Sequence, residues 1–237
     1  MDKQFEKLLV IVAKEPLPGK VKTRLLPKFS PAIAAELYRC FLHDRIQEVR
    51  NFNGVARAIA YTPEDARETF ATLALDGFEL FAQRGKHLGE RLSNIFLEKL
   101  SQRYKAVSIV DSDSPDLPKS LMEESFELLL SKQADIVFGP CYDGGYYLVG
   151  MRKPYPELFR NIPWSTETVL STTLEKAREL ELNVKLLTPW NDLDTFEDLL
   201  EFYNKYKDRG PSNDWAGQKT FAFLSRLEKI NTYRFHY

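Results

Sequence analysis

From its first residues the chain alternates between short runs that read as buried strands and longer stretches with helical periodicity. Residues 8–13 are rich in β-branched and other apolar side chains, the mark of a strand covered on both faces. Pro31 opens a helix in which Ile33, Leu37, Phe41, Leu42, Ile46 and Val49 recur at helical spacing. Strands over 54–61 and 78–82 bracket a helix over 63–75. An amphipathic stretch marked by Leu88, Leu92, Ile95, Phe96 and Leu100 leads to a strand over 106–110. A helix over about 118–132, a strand over 135–138, a Gly139-Pro140 turn and a strand over 146–149 follow. Val169, Leu170, Leu174, Ala177 and Leu180 mark one more helix, 184–187 one more strand, and 196–206 a last one-sided helix. This alternation implies an α/β fold: a mainly parallel, mixed sheet with helices on both faces. Ligands of such sheets sit beyond the carboxyl ends of the strands, so the loops there are where chemistry is expected.

The 237 residues suit one large domain, taken as 1–206, followed by a linker and short helical tail over 207–237. The linker is polar and carries Gly210-Pro211; the tail carries Phe221, Leu224 and Leu227, which pack on the core or on a second copy of the chain, as in a homodimer. Thirty-three Lys and Arg against 34 Asp and Glu exclude a nucleic-acid binder held by bulk electrostatics. The longest clean apolar run, 8–13, falls far short of the ~20 residues of a membrane span and is too short for a signal peptide. Cys40 and Cys141 make no disulfide framework, which points to a reducing, cytoplasmic setting. His43, His87 and His236 lack zinc-site spacing, so any metal has to be held by carboxylates. His87 reads as a solvated loop residue, Cys141 as a small packing residue and Trp190 as core.

Four loops carry candidate chemistry. The first, after the 8–13 strand, runs from Lys14 to Arg24 with Lys20, Lys22 and a backbone shaped by Pro16, Pro18 and Gly19. It can wrap phosphates with backbone N–H groups and cations, or be a plain charged surface loop. It lacks the glycine spacing of a P-loop, and no GxGxxG follows the strand. The second, Asp111-Ser112-Asp113-Ser114-Pro115-Asp116, gathers three carboxylates that need a counter-charge; Mg²⁺ supplies one, typically with one or two carboxylates plus substrate phosphates. Asp113 is the better ligand, whereas Asp116 stands before Pro118 as an expected helix cap. The third, Asp143-Gly144-Gly145-Tyr146-Tyr147, is a hairpin turn, a close-approach surface for a ligand, or both. The fourth, Asp192-Leu193-Asp194-Thr195, holds acids beside a cap for the 196–206 helix.

Taken in order, AKEPLPGKVKTRL, GKHLGERL, SDSPDLP, FGPCYDGGYYLVG, IPWST and LDTFEDL resemble the uncharacterised-transferase family of nucleotide-diphospho-sugar transferases with the GT-A fold. The match runs from about Leu8 to Leu200. More distantly the layout is similar to sugar-nucleotide pyrophosphorylases and to guanylyl- and cytidylyltransferases of cofactor assembly. The resemblance implies a nucleotide-binding first half, a sugar or acceptor half, and Mg²⁺ or Mn²⁺ between them. It puts metal on Asp113 and Asp194, with Asp111 completing a literal Asp-x-Asp where the family usually has glycine. It puts phosphates and nucleoside on Lys14, Gly19, Lys22, Thr23, Arg24, Gln83, Gly89, Glu90 and Arg91. Gly144, Gly145, Tyr146, Trp164, Ser165 and Thr166 fall on the sugar and acceptor side, with Asp143 as the acceptor-side base and Asp113 and Lys22 as further catalytic groups. Phe196 replaces the family's proline.

Two reactions stand against each other at this stage. One is glycosyl transfer from a nucleotide-diphosphate sugar to a small-molecule acceptor. The other joins a nucleoside triphosphate to a phosphorylated acceptor with loss of pyrophosphate; the basic first loop favours it, and the Asp-x-Asp favours the first. A non-catalytic nucleotide-binding module is a third. All share one geometric demand: the side chains of Asp113 and Asp194 have to lie close enough to share a cation.

Overall fold

The computed structural model describes residues 5–74, 76–209, 215–227 and 230. Seven strands, β1 (Lys7–Lys14), β2 (Ala56–Thr62), β3 (Glu79–Ala82), β4 (Ala106–Val110), β5 (Ile136–Pro140), β6 (Tyr146–Met151) and β7 (Val184–Leu186), form one sheet in the order β3-β2-β1-β4-β6-β5-β7. β1 pairs in parallel with β2 and β4, β2 with β3, and β5 with β7. Only β6 runs the other way, between β4 and β5. The sheet is therefore mixed and mainly parallel, and the ends of β1, β2 and β4 open onto one rim.

Among the described residues seven α-helices cover it: α1 (Pro31–Arg50), α2 (Arg67–Ala74), α3 (Leu88–Ser101), α4 (Lys119–Leu130), α5 (Val169–Glu179), α6 (Phe196–Tyr206) and α7 (Gln218–Leu224). Alternate residues of β1 enter different cores, as the pleat requires. Leu9 and Ile11 pack with α1, α2, α4, α6 and α7, while Leu8 and Val10 pack with α3 and α5. This two-sided burial explains why β1 and β4 read as unbroken apolar runs rather than alternating ones. Among the described residues no helix is long and apolar enough to cross a membrane.

Local chemistry sets most element ends. Ser30 caps α1 by accepting from the Ile33 N–H at 3.3 Å, with Pro31 in the first turn. Thr195 and Asp198 form a reciprocal capping box at α6. Three expectations need correcting. The 63–75 helix begins only at Arg67, because residues 63–66 close a turn through Ala66 N–H to the Pro63 carbonyl; Leu75 lies outside the described residues. Gly139-Pro140 is no turn: both residues pair with β6 across a register shift, and a side chain at 139 would overlap the Tyr147 ring. Asp116 does not cap α4, whose N-cap is Pro118 without a side-chain bond. Asp116 instead accepts from Trp190 Nε1, Lys205 Nζ and Tyr206 Oη, tying the segment after β4 to α6.

The linker dipeptide Gly210-Pro211 lies outside the described residues. Beyond it, α7 folds back onto α1. The buried Asp44 carboxylate accepts from the N–H groups of Lys219 and Thr220 and from the Thr220 hydroxyl, at 2.7–2.9 Å. Deleting it strands three donors, two of them on buried Thr220, at a cost of about 2–3 kcal/mol. Asp44→Ala should therefore lower the urea midpoint by that equivalent, with α7 becoming susceptible to limited proteolysis; a variant as stable as the parent would show that this carboxylate does not hold the tail.

Candidate active site

Above the rim where β1, β2 and β4 end lies a cleft of about 670 Å³. Its floor is the end of β4 and the start of β6; the β1 loop forms one wall, and Asp143, Trp164 and Ser165 the other. Backbone bonds bring distant segments together here. Leu193 N–H donates to the Asp113 carbonyl at 3.0 Å, which docks the stretch before α6 on the loop after β4. Asp198 Oδ2 accepts from the N–H of both Asp194 and Thr195, so the capping box of α6 also fixes the backbone at Asp194. Tyr38, from α1, accepts from Lys14 N–H and shares a hydrogen bond with Ser112, linking the ends of β1 and β4.

At the centre sits an ammonium group. Lys22 Nζ lies 2.5 Å from Asp113 Oδ1 and 2.8 Å from Asp194 Oδ1, and donates to the Leu193 carbonyl at 3.0 Å. Its side chain is 3% exposed. Burial by itself would discharge this amine, but Asp113 and Asp194 outweigh burial and raise its pKa, so it is a fixed cation. Lys22 holds left-handed backbone angles, φ 48° and ψ 44°, which a side-chain-bearing residue adopts at a cost. The same turn leaves Arg24 exposed, 3.3 Å from Asp194 Oδ2. The geometric demand is met: one nitrogen touches both carboxylates. The sequence reading had assigned a metal to these acids and phosphate oxygens to Lys22; in the structure the lysine and the acids meet each other.

Asp111 behaves differently from its neighbour. Its carboxylate turns toward buried Arg45, 3.9 Å away, and Oδ2 accepts from the Ser114 hydroxyl. Arg45 also donates to the Ser114 carbonyl, bracing the whole turn. Burial, opposed by Arg45 and reinforced by Asp113, pushes Asp111 up to about 7. The literal Asp-x-Asp thus splits, one acid facing Arg45 and the other facing Lys22.

Asp192 was not singled out in the sequence. Its carboxylate, Asp143 and the Cys141 thiol offer atoms within 4.8 Å of one another. Burial first, then Asp194 and Asp143, push Asp192 up to about 7. The only signal for it was the alternate-residue spacing in Asp192-Leu193-Asp194. Cys141, buried on the floor, has its thiol pushed up by burial and by surrounding acids, which makes it a poor nucleophile.

Of the remaining candidates, Lys14, Thr23, Gln83, Arg91, Gly145, Tyr146, Trp164 and Ser165 line the cleft. Gln83 spans β1 and β2, its amide donating to the Ala13 and Ala60 carbonyls. The others act beside the cleft. Gly19 shapes the first loop at φ 74°. Gly89 lets α3 approach the Phe159 carbonyl and the Trp164 ring, where a Cβ would collide. Glu90 accepts from Lys86 N–H. Gly144 sits against the backbone of Glu167 and accepts from Leu170 N–H, completing the hairpin turn. Thr166 donates to the Pro163 carbonyl. His87 is not merely a solvated loop residue: it caps α3, accepting from Glu90 N–H through Nδ1. Trp190 is half-buried, packs against the core as expected, and is pinned by its ring N–H to Asp116.

The cleft also tests whether Mg²⁺ or Mn²⁺ suits these residues. Its donors are carboxylate oxygens, the ligands hard divalent cations prefer. Five aspartates line it, and among the described residues Asp143 and Asp192 have no cation within ion-pair distance. The residues present fit such an ion.

Comparison with known proteins agrees with this architecture. The profile of a family described as uncharacterized protein conserved in bacteria (DUF2064) matches residues 45–166. A candidate nucleotide-diphospho-sugar transferase from Desulfovibrio desulfuricans is 34% identical, with a TM-score of 0.86 over 97% of this chain and 98% of that one. A cytidylyltransferase from Leptospira borgpetersenii shares the fold at 13% identity and TM-score 0.55, covering 95% of this chain and 96% of its own. So does a 4-diphosphocytidyl-2C-methyl-D-erythritol synthase from Anaerococcus prevotii, at 11% and 0.56, covering 88% and 98%. No curated protein matches the sequence.

The Lys22 pair makes stability depend on pH. Burial would raise Asp194, but Lys22, then Arg24 and Lys14, outweigh it and hold the carboxyl below its ordinary value. A depressed carboxyl stabilises the fold above the unfolded pKa of about 4 and loses that contribution as pH falls through the native value. Asp194→Asn should thus be less stable than the parent by about 1–3 kcal/mol at pH 7. The gap should close on acidification; thermal unfolding across pH 3–7 measures it, and a gap that stays constant would contradict the ion-pair origin.

Proposed function

The chain belongs to the family described as uncharacterized protein conserved in bacteria (DUF2064), and from that premise and the chemistry of its cleft we propose that it is a metal-dependent transferase that moves a sugar from a nucleotide-diphosphate donor to a small-molecule acceptor. One observation carries the reading: a carboxylate cluster and a cationic loop face one another across a single cleft at the strand ends. The solved structure 34% identical to this chain supports it in kind. The transferase unit spans 1–206, and the tail braces α1 from outside.

Each wall has a task. Lys14, Lys20 and Arg24 project from the first loop as exposed cations and hold diphosphate oxygens. Gln83 and Arg91, on the same side, bound the nucleoside. Asp113 and Asp194, with Asp192 and Asp143 adjacent, hold Mg²⁺ or Mn²⁺. The ion, when bound, neutralises charge that develops on the leaving diphosphate. Asp143, exposed at the tip of the β5–β6 turn with Oδ1 taken by Gly145 N–H, keeps Oδ2 for an acceptor hydroxyl proton. Tyr146, Trp164 and Ser165 form the wall against which the acceptor rests.

Nucleotidyl transfer is the second reading. It is favoured by the excess of cations in the first loop and by the fold shared with cytidylyltransferases. Products separate the two. Incubation with a panel of nucleotide sugars and Mn²⁺ should release a nucleoside diphosphate; pyrophosphate released from nucleoside triphosphates would favour the second reading instead. Asp113→Asn should lower turnover by roughly 10²–10³-fold while leaving the fold intact by circular dichroism. Full activity in that variant would remove Asp113 from the chemistry.

A further inference from the structure

The buried ammonium occupies the place the proposed ion needs. All three donors of Lys22 Nζ find oxygen acceptors, two of them the carboxylates of Asp113 and Asp194. With its side chain 3% exposed at the edge of the cleft, and its nitrogen 5.0 Å from the Phe41 ring centroid, the ammonium depends on these acceptors for most of its solvation. A cation coordinated through the Oδ1 atoms of both acids competes with it. Simple addition beside Lys22 would put a double positive charge against a fixed single one in a poorly solvated site.

Resting on the metal-dependent reading above, we propose that Lys22 is a built-in counter-ion that divalent metal displaces, so that metal and diphosphate bind as a pair. Lys22 keeps the two carboxylates neutralised and correctly spaced in the empty site. Entry of a divalent cation turns the lysine out toward the cleft, where Lys14, Lys20 and Arg24 already line the wall. There an unpaired ammonium is costly unless an anion receives it, and the diphosphate is that anion. Metal alone is therefore weakly held, diphosphate alone meets a site whose central cation is engaged, and each raises the affinity for the other by the same factor. The left-handed backbone at Lys22 and the positive φ of 74° at Gly19 mark the segment that carries the change.

The test uses the full chain and Mn²⁺, with free Mn²⁺ read by electron paramagnetic resonance. Without any nucleotide, Lys22→Gln should bind Mn²⁺ about 10- to 100-fold more tightly than the parent, whereas Lys22→Arg, which keeps the charge, should bind as weakly as the parent. Inorganic pyrophosphate should raise Mn²⁺ affinity more in the parent than in Lys22→Gln. Equal or weaker Mn²⁺ binding by a folded Lys22→Gln overturns the proposal. A second measurement needs no variant: saturating Mg²⁺ should increase acetylation of Lys22 by acetic anhydride in the parent, read by peptide mass spectrometry, and unchanged labelling overturns the displacement. The outcome is independent of the donor screen. An altered Mn²⁺ titration with no sugar-nucleotide turnover counts against the transferase reading alone, and turnover with an unaltered titration counts against the displacement alone.

Discussion

The contact of Lys22 with Asp113 and Asp194 organises the rim of this protein. It joins the loop after β1, the turn after β4 and the stretch before α6 at one point. Sequestering an ammonium is expensive, and two carboxylates and a carbonyl have to be placed well to compensate. The fold supplies that placement through backbone. Leu193 N–H holds the Asp113 carbonyl, and the α6 capping box holds Asp194 by its N–H. The ion pair is thus the last step of a chain that begins with helix capping.

The same logic explains why the turn after β4 can carry so much charge. Arg45, buried in α1, reaches the Ser114 carbonyl and faces Asp111, while Asp116 is satisfied by Trp190, Lys205 and Tyr206. Each acid in Asp111–Asp116 therefore has its own cation or donor set: Arg45 from α1 for Asp111, Lys22 from the first loop for Asp113, and Trp190 with the end of α6 for Asp116. Three carboxylates that would repel one another in a free loop become three separate anchors. Of the three, Asp113, with 41% of its side chain exposed against 18% for Asp111, has the wider outlook on the cleft.

What the sequence made legible follows from range. Buried strands and capped helices depend on near neighbours, so 106–110 and 196–206 were bounded to the residue, and the mainly parallel sheet followed from the alternation. The concentration of candidate residues in loops was readable too, because the C-terminal edge of a parallel sheet is the open one. Asp116 misled because a cap is a local inference, whereas its partners lie 74 to 90 residues away. Gly139-Pro140 misled because the pair spells a turn unless a cross-strand Tyr147 needs the space. Lys22 was visible as a cation but its partners, 171 and 172 residues on, were not.

The distribution of compensation around the cleft gives it a direction. On the side of α1 and the first loop, acids are neutralised from within by Lys22, Arg24 and Arg45. On the side of the β5–β6 turn, Asp143 and Asp192 crowd together without a cation at ion-pair distance among the described residues, and burial first, then Asp194 and Asp143, pushes the second up to about 7. The acids of the β5–β6 side thus face the exposed cations of the first loop, Lys14, Lys20 and Arg24, across one cleft. The two walls therefore differ in the charge they present, before any shape recognition. That difference needs no single special residue. The geometry of the rim provides it with aspartates and lysines whose neighbours, more than their own identities, decide which way each one faces.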